Sequence, residues 1–193
     1  MSSPFDRLPS ELALAIFTRL SYRQLLKVER VCKKWREWFY DDSLDRILFR
    51  KGLAHKMYKP HKYKIHPALG MFDWLHVSGD SAQLEFSRGE TDYWDREQLD
   101  NLKHRKLLKH FITRPAISHL VVNMEPGARY TKHSLHFPID CTRGITVLDL
   151  LQEIAEFWGY GRIDTSEWGW VGWKPLSQLD NGALLLEARS YDH

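Results

Sequence analysis

Residues 8–26, LPSELALAIFTRLSYRQLL, carry more apolar positions than one packed face needs. On a wheel turning about 100° per residue, with Leu12 at 0°, Ile16 falls at about 40° and Leu20 at about 80°. Ala13 then falls at about 100°, Phe17 at about 140° and Leu14 at about 200°. A surface helix buries a stripe only somewhat wider than about 100°. The surplus has two destinations: the rest of the chain, or a second polypeptide.

The pattern predicts helix over most of the first 55 residues. Pro9 suits the first turn, where its missing N–H costs nothing, and Glu11 complements the positive end of the helix dipole. Ser21 and Gln24 form an S-x-x-Q capping box that restarts the chain as a second helix, to about Val31. In CKKWREWFYDD, Cys32, Trp35, Trp38 and Phe39 share one face, opposite Lys33, Lys34, Arg36 and Glu37. Ser43 is placed to cap a fourth helix carrying Leu44, Ile47, Leu48 and Leu53. HKMYKPHKYKIHP has two prolines and no helical period, and reads as a basic linker or extended arm.

Beyond it the pattern turns mixed. ISHLVVNM, after Pro115, is short and β-branched, the best strand candidate. SLHFPID alternates, with Pro138 assigning it to a sheet edge, and AQLEFSR alternates weakly. DREQLDNLKHRKLLKHF is polar and fits helix or loop. ITVLDLLQEIAEFWG is the best helix of this half, capped by Thr146 with Asp149 completing a box and Gly159 ending it. GALLLEARS reads as a last strand. The fold class expected is α+β: an N-terminal three-helix unit, then a small mixed α/β domain with a mainly antiparallel sheet and one prominent helix. Its divisions are residues 1–50, a linker at 51–65 and a domain at 66–193.

Composition adds little to this picture: 43% apolar and 27% charged residues suit an ordinary soluble protein with a core. Charge adds more. Residues 1–64 hold 15 Lys/Arg against 7 Asp/Glu, for +8, and residues 65–193 hold 13 against 18, for −5. The sign change suggests two modules with different partners. Two cysteines, Cys32 and Cys141, make no disulfide framework, and the reading is a reducing compartment, cytoplasmic or nuclear. The start has no secretory pattern, and no apolar run is long enough to cross a membrane.

Residues 5–48 resemble an F-box. The motif runs Leu8-Pro9, Glu11-Leu12, Ile16-Phe17, Leu20, Leu25-Leu26, Val31-Cys32 and Trp35, then Asp41, Leu44 and Arg46. The family often has Trp after the late Leu, where this chain has Asp45. The resemblance implies that part of the apolar surface belongs to a Skp-type adaptor and, through it, a cullin scaffold. Carried over by position, Leu8, Pro9, Phe17, Leu20, Leu25, Val31 and Cys32 meet the adaptor, while Leu12, Ile16, Leu26 and Trp35 hold the helices together. The C-terminal part resembles, more loosely, a domain of unknown function found in many fungal proteins. That likeness rests on His66-Pro67-Leu69, the strand after Pro115, and Gly144-Ile145-Thr146-Val147 leading to Asp149-Leu150-Leu151.

No catalytic constellation, cofactor motif or metal set accompanies these patterns. His133 and His136 are three apart but fall on opposite faces of an alternating strand. Cys141 is a nucleophile only if the fold brings it a histidine base. Gly159-x-Gly161 closes a helix rather than opening one, unlike a phosphate loop. SEWGWVGWKP offers Trp168, Trp170 and Trp173 either as an aromatic platform for a target peptide or as core filling. The basic 50–64 arm, with Tyr58 and Tyr63 interleaved, is the alternative: a nucleic-acid surface. The expected function is a non-enzymatic substrate receptor of an SCF-type ubiquitin ligase, recruiting a protein target through its C-terminal domain.

Overall fold

Residues 8–53, 63–78, 81–87, 94–98, 106–124, 135–159, 170–179 and 183–190 are described by a computed structural model. The chain divides into two compact units, Met1–Lys51 and Gly52–His193.

The first unit is helical: α1 (Ser10–Phe17), α2 (Tyr22–Val28) and α3 (Lys33–Trp38). Pro9 occupies the cap position of α1, and Glu11 lies in its first turn. The Ser21 box forms as expected: the Ser21 N–H donates to Gln24 Oε1 at 2.8 Å, and the Gln24 N–H to Ser21 Oγ at 3.4 Å. The fourth helix expected after Ser43 does not form. A 3-10 turn, Asp42–Leu44, stands there instead, capped by Asp41, whose carboxylate accepts from the Ser43 N–H at 2.9 Å. The Ser43 hydroxyl, and after it this backbone bond, hold the Asp41 carboxyl below its ordinary range. Phe49 then adopts a φ of 59°, a left-handed conformation in which no helix continues. Leu44 and Leu48 are buried all the same, so the apolar spacing serves turns rather than a helix.

The second unit is built on strands β1 (Lys64–Ile65), β2 (Phe72–Ser78), β3 (Ser81–Ser87), β4 (Trp94–Gln98), β5 (Thr113–Arg114) and β6 (His119–Met124), continuing with β7 (Leu135–Asp140), β8 (Trp170–Trp173), β9 (Ser177–Gln178) and β10 (Leu184–Ser190). They form three sheets: β1-β5; β2-β3-β4; and β7-β6-β10-β8, with β9 also on β10. All described pairings are antiparallel except β6 with β10, where Val122 lies opposite Leu186. With the helical first unit, this makes the protein α+β. The expected linker ends inside this unit, since Lys64 and Ile65 are paired strand residues. Residues 54–62 lie outside the described set. Of the ambiguous polar stretch, the described residues form β4 and a 3-10 turn at Lys106–Lys109, and residues 99–105 lie outside the described set.

β7 lies at the sheet edge, as Pro138 requires, since a proline donates no ladder bond. Its burial alternates: Phe137 and Ile139 inward, His136, Pro138 and Asp140 outward. Helix α4 (Val147–Gly159) supplies Leu150, Leu151 and Ile154 to one core with Leu120, Val122, Phe137, Ile139, Leu184 and Leu186. Its start is fixed chemically. The Thr146 N–H donates to Asp149 Oδ2 at 2.9 Å, and the Asp149 N–H returns to Thr146 Oγ1 at 3.2 Å. Ile145 and Leu150, both buried, occupy the two positions of a hydrophobic staple.

Gly144 precedes this cap at φ 99°, and a Cβ there would lie 2.8 Å from the Phe111 ring. Gly144→Ala therefore meets both a steric and a backbone penalty. The expected loss is about 2–4 kcal/mol, read as a lower denaturant midpoint at unchanged slope.

Candidate functional site

The helical unit shows how a wide apolar stripe is divided. Ala13 and Phe17, one turn apart on α1, are buried. The Phe17 ring meets Trp35 edge-on at 5.6 Å and Trp38 at 6.1 Å. Such aromatic pairs add about 0.5–1.5 kcal/mol each beyond the area they bury. Leu12 and Ile16, also one turn apart, are 55% and 48% exposed. The 100–140° arc of the wheel thus faces inward, and the 0–40° arc is open.

This reverses part of the division expected from the family motif. Phe17 and Leu25, assigned to the adaptor, are buried in the protein itself. Leu12 and Ile16, assigned to helix packing, stand in water. The wheel gives the width of an apolar stripe, but the aromatic pair on α3 determines which arc turns inward. Of the remaining adaptor positions, Pro9 and Val31 are exposed, and Leu8, Leu20 and Cys32 are half-buried. Leu26 and Trp35 are half-buried.

Among the residues whose burial is described, four large hydrophobics are exposed, and all lie in this unit: Leu12, Ile16, Val31 (59%) and Tyr40 (47%). Tyr40 was not singled out by the sequence, because its position follows the α3 stripe rather than belonging to it. Arg50 was missed because the group it bonds, the Phe39 carbonyl, lies far from it along the chain. Its Nη2 donates to the Phe39 carbonyl at 2.9 Å and lies 2.7 Å from Asp45 Oδ1. Its guanidinium also sits 5.5 Å from the Phe39 ring and 6.0 Å from that of Tyr40. This clamp ties the last turns of the unit to the end of α3. Tyr22 and Phe49 meet edge-on at 6.0 Å, and burial pushes the Tyr22 hydroxyl pKa well up, with Glu29 adding to the shift.

The C-terminal candidates fall differently. Trp173, opposite Ala188 in register, is half-buried and packs against the core, which is the core-filling role. Trp170 pairs with Ser190 in the same ladder, and Trp168 lies outside the described residues. His136 is exposed, while His133 lies outside the described residues. Among the described residues no group of three or more His, Cys, Asp or Glu is arranged to hold a metal. Cys32 and Cys141 are both free thiols. Cys141 packs against the core, whereas His119, opposite Asp140 in register, is bonded to that carboxylate on the exposed side. The fold therefore does not offer His119 to Cys141 as a base. Arg143, beside Cys141, donates to Asp149 at 2.9 Å.

No helix among the described residues is long and apolar enough to cross a membrane. Residues 5–51 match the F-box-like family model. The matched segment is nearly coextensive with the first compact unit, so the chain carries an F-box-like domain at its N-terminal end. Neither a curated protein nor a solved structure matches the chain.

Proposed function

We propose that this protein is the substrate receptor of an SCF-type cullin-RING ubiquitin ligase. The F-box-like unit docks a Skp-type adaptor, which links it to the cullin scaffold. The C-terminal α+β unit, with its resemblance to an uncharacterised fungal domain, presents a protein target. Tethering raises the effective concentration of the target at the ligase, so the receptor itself needs no catalytic residue.

One observation carries the reading: among the residues whose burial is described, the exposed large hydrophobics lie in the F-box-like unit. Leu12 and Ile16, one turn apart on α1, make an open apolar strip of the kind a partner covers. Basic residues of the same unit, including Arg23, Lys27, Arg30 and Lys33, are exposed and suit an acidic partner, mainly by speeding encounter. The test is co-expression of the full chain with a Skp-type adaptor, followed by size-exclusion chromatography. Co-elution as a stoichiometric complex is expected. Separate elution at micromolar concentrations of both proteins rejects the assignment.

A further inference from the structure

Two histidines in the C-terminal unit are among the few buried polar residues described, and they face each other. His66 and His110 are both buried, with ring centroids 5.6 Å apart. They sit where short elements are joined. The ladder between β1 and β5 has two residue pairs, Lys64–Arg114 and Ile65–Thr113. It is prolonged by the His66 N–H, which donates to the Ile112 carbonyl at 2.7 Å. The His66 ring then caps the next turn, its Nδ1 accepting from the Ala68 N–H at 3.0 Å. On the other side, the His110 carbonyl accepts from the Val147 N–H, the first residue of α4, at 2.9 Å.

That cap fixes a protonation state. An imidazole nitrogen that accepts a hydrogen bond carries no proton, whereas in the imidazolium both nitrogens are donors. Protonating His66 at Nδ1 turns an N–H toward the Ala68 N–H and removes the cap. The charged side chains described on β1 (Lys64), β5 (Arg114) and the turn before His110 (Lys106 and Lys109) are cationic and add to the cost of a second positive charge. The turn at Pro67–Met71 has no titratable group. At the start of α4, Asp149 is already held by Thr146 and Arg143.

We propose that the His66–His110 pair is an acid-sensitive latch, which holds the β1 segment to the body of the C-terminal unit at neutral pH and releases it in mild acid. Burial, and secondarily His110, lower the His66 pKa to about 3 in the folded protein. An opened segment has the ordinary histidine value near about 6.5. Because the folded value is depressed, the latch holds fully above about pH 6.5 and weakens as pH falls below it, as protons bind the opened form. For one proton, the opening equilibrium rises about thirtyfold between pH 7.5 and pH 5.0.

Hydrogen exchange on the full chain, corrected for intrinsic rates, measures this at the Ala68 and Leu69 amides. Protection is expected to fall about thirtyfold between those pH values. In His66→Asn, where the side-chain oxygen still accepts from Ala68 but takes up no proton, the fall should be much shallower. Unchanged protection in the parent, or an equally steep fall in the variant, overturns the latch. Should the variant fail to fold, ring NMR of the parent decides. A His66 titration centred near about 6.5 with the Ala68 amide still protected rejects the proposal. A ring that stays neutral until the segment opens supports it.

Discussion

Leu12→Asp combined with Ile16→Lys is expected to weaken adaptor binding by at least about a hundredfold while leaving the free protein folded. Both side chains are about half in water, so the folded chain loses little packing when they change. The substitutions also suit the helix. Leu12 lies in the first turn of α1, where an acid is favoured, and Ile16 in the last, where a base is favoured. At spacing i and i+4, acid before base, the new pair adds a few tenths of a kcal/mol to helix stability. In a complex the balance reverses. The lost apolar burial is worth roughly 2–3 kcal/mol for the two half-exposed side chains. Two charges pressed against an apolar partner add several kcal/mol of desolvation unless they find counter-charges. Calorimetric titration of the adaptor, with circular dichroism of the free variant, measures both sides. An unchanged affinity would move the adaptor surface away from the open arc of α1.

Phe17 gives the contrasting result. It was expected to touch the adaptor, yet it is buried against Trp35 and Trp38. Phe17→Ala should cost about 3–5 kcal/mol of stability in the helical unit, as for other large-to-small core changes. A loss of adaptor binding in that variant would report unfolding rather than a missing contact, and a thermal melt separates the two. The open-arc pair therefore tests the interface, and Phe17 tests the fold beneath it.

The parts of this protein that were legible in its sequence are the ones fixed by neighbours. The Ser21–Gln24 and Thr146–Asp149 boxes each need two residues three apart, and both form. β7 reads correctly because alternation and one proline suffice to make an edge strand. What was not legible depends on residues far apart in the chain. The inward arc of α1 is chosen by Trp35 and Trp38, and the end of the helical unit by Arg50 reaching back to Phe39. The sequence did not pair His66 with His110, because the two are brought together only once β1 pairs with β5. The β2-β3-β4 sheet showed in the sequence only as the weak alternation of β3, since each flanking strand gains its pattern from its partner. The fourth helix was lost because the apolar spacing of Leu44 and Leu48 also fits turns, and Phe49 then takes a left-handed conformation.

Leu150→Ala should be the most damaging single truncation in the C-terminal unit, with an expected loss of about 2–5 kcal/mol. Leu150 is fully buried and stands one position beyond the Asp149 cap, where the staple with Ile145 fixes the direction in which α4 enters. The same side chain belongs to the core shared with the inward residues of β6, β7 and β10. Removing three carbons there leaves a cavity that neither side readily fills. The helix is fixed at its start by the cap, and β6 is paired on both sides, in parallel with β10 and antiparallel with β7. A site that cannot collapse lies at the upper end of the range, because the cost grows with the cavity that remains. Gln152, two residues along and exposed, is the control, and Gln152→Ala should change stability by no more than about 0.5 kcal/mol. Urea unfolding followed by far-ultraviolet circular dichroism reads both variants, with the midpoint shifting at constant slope. A Leu150→Ala cost below about 1 kcal/mol would mean that α4 does not anchor this sheet, and the core would have to be placed elsewhere.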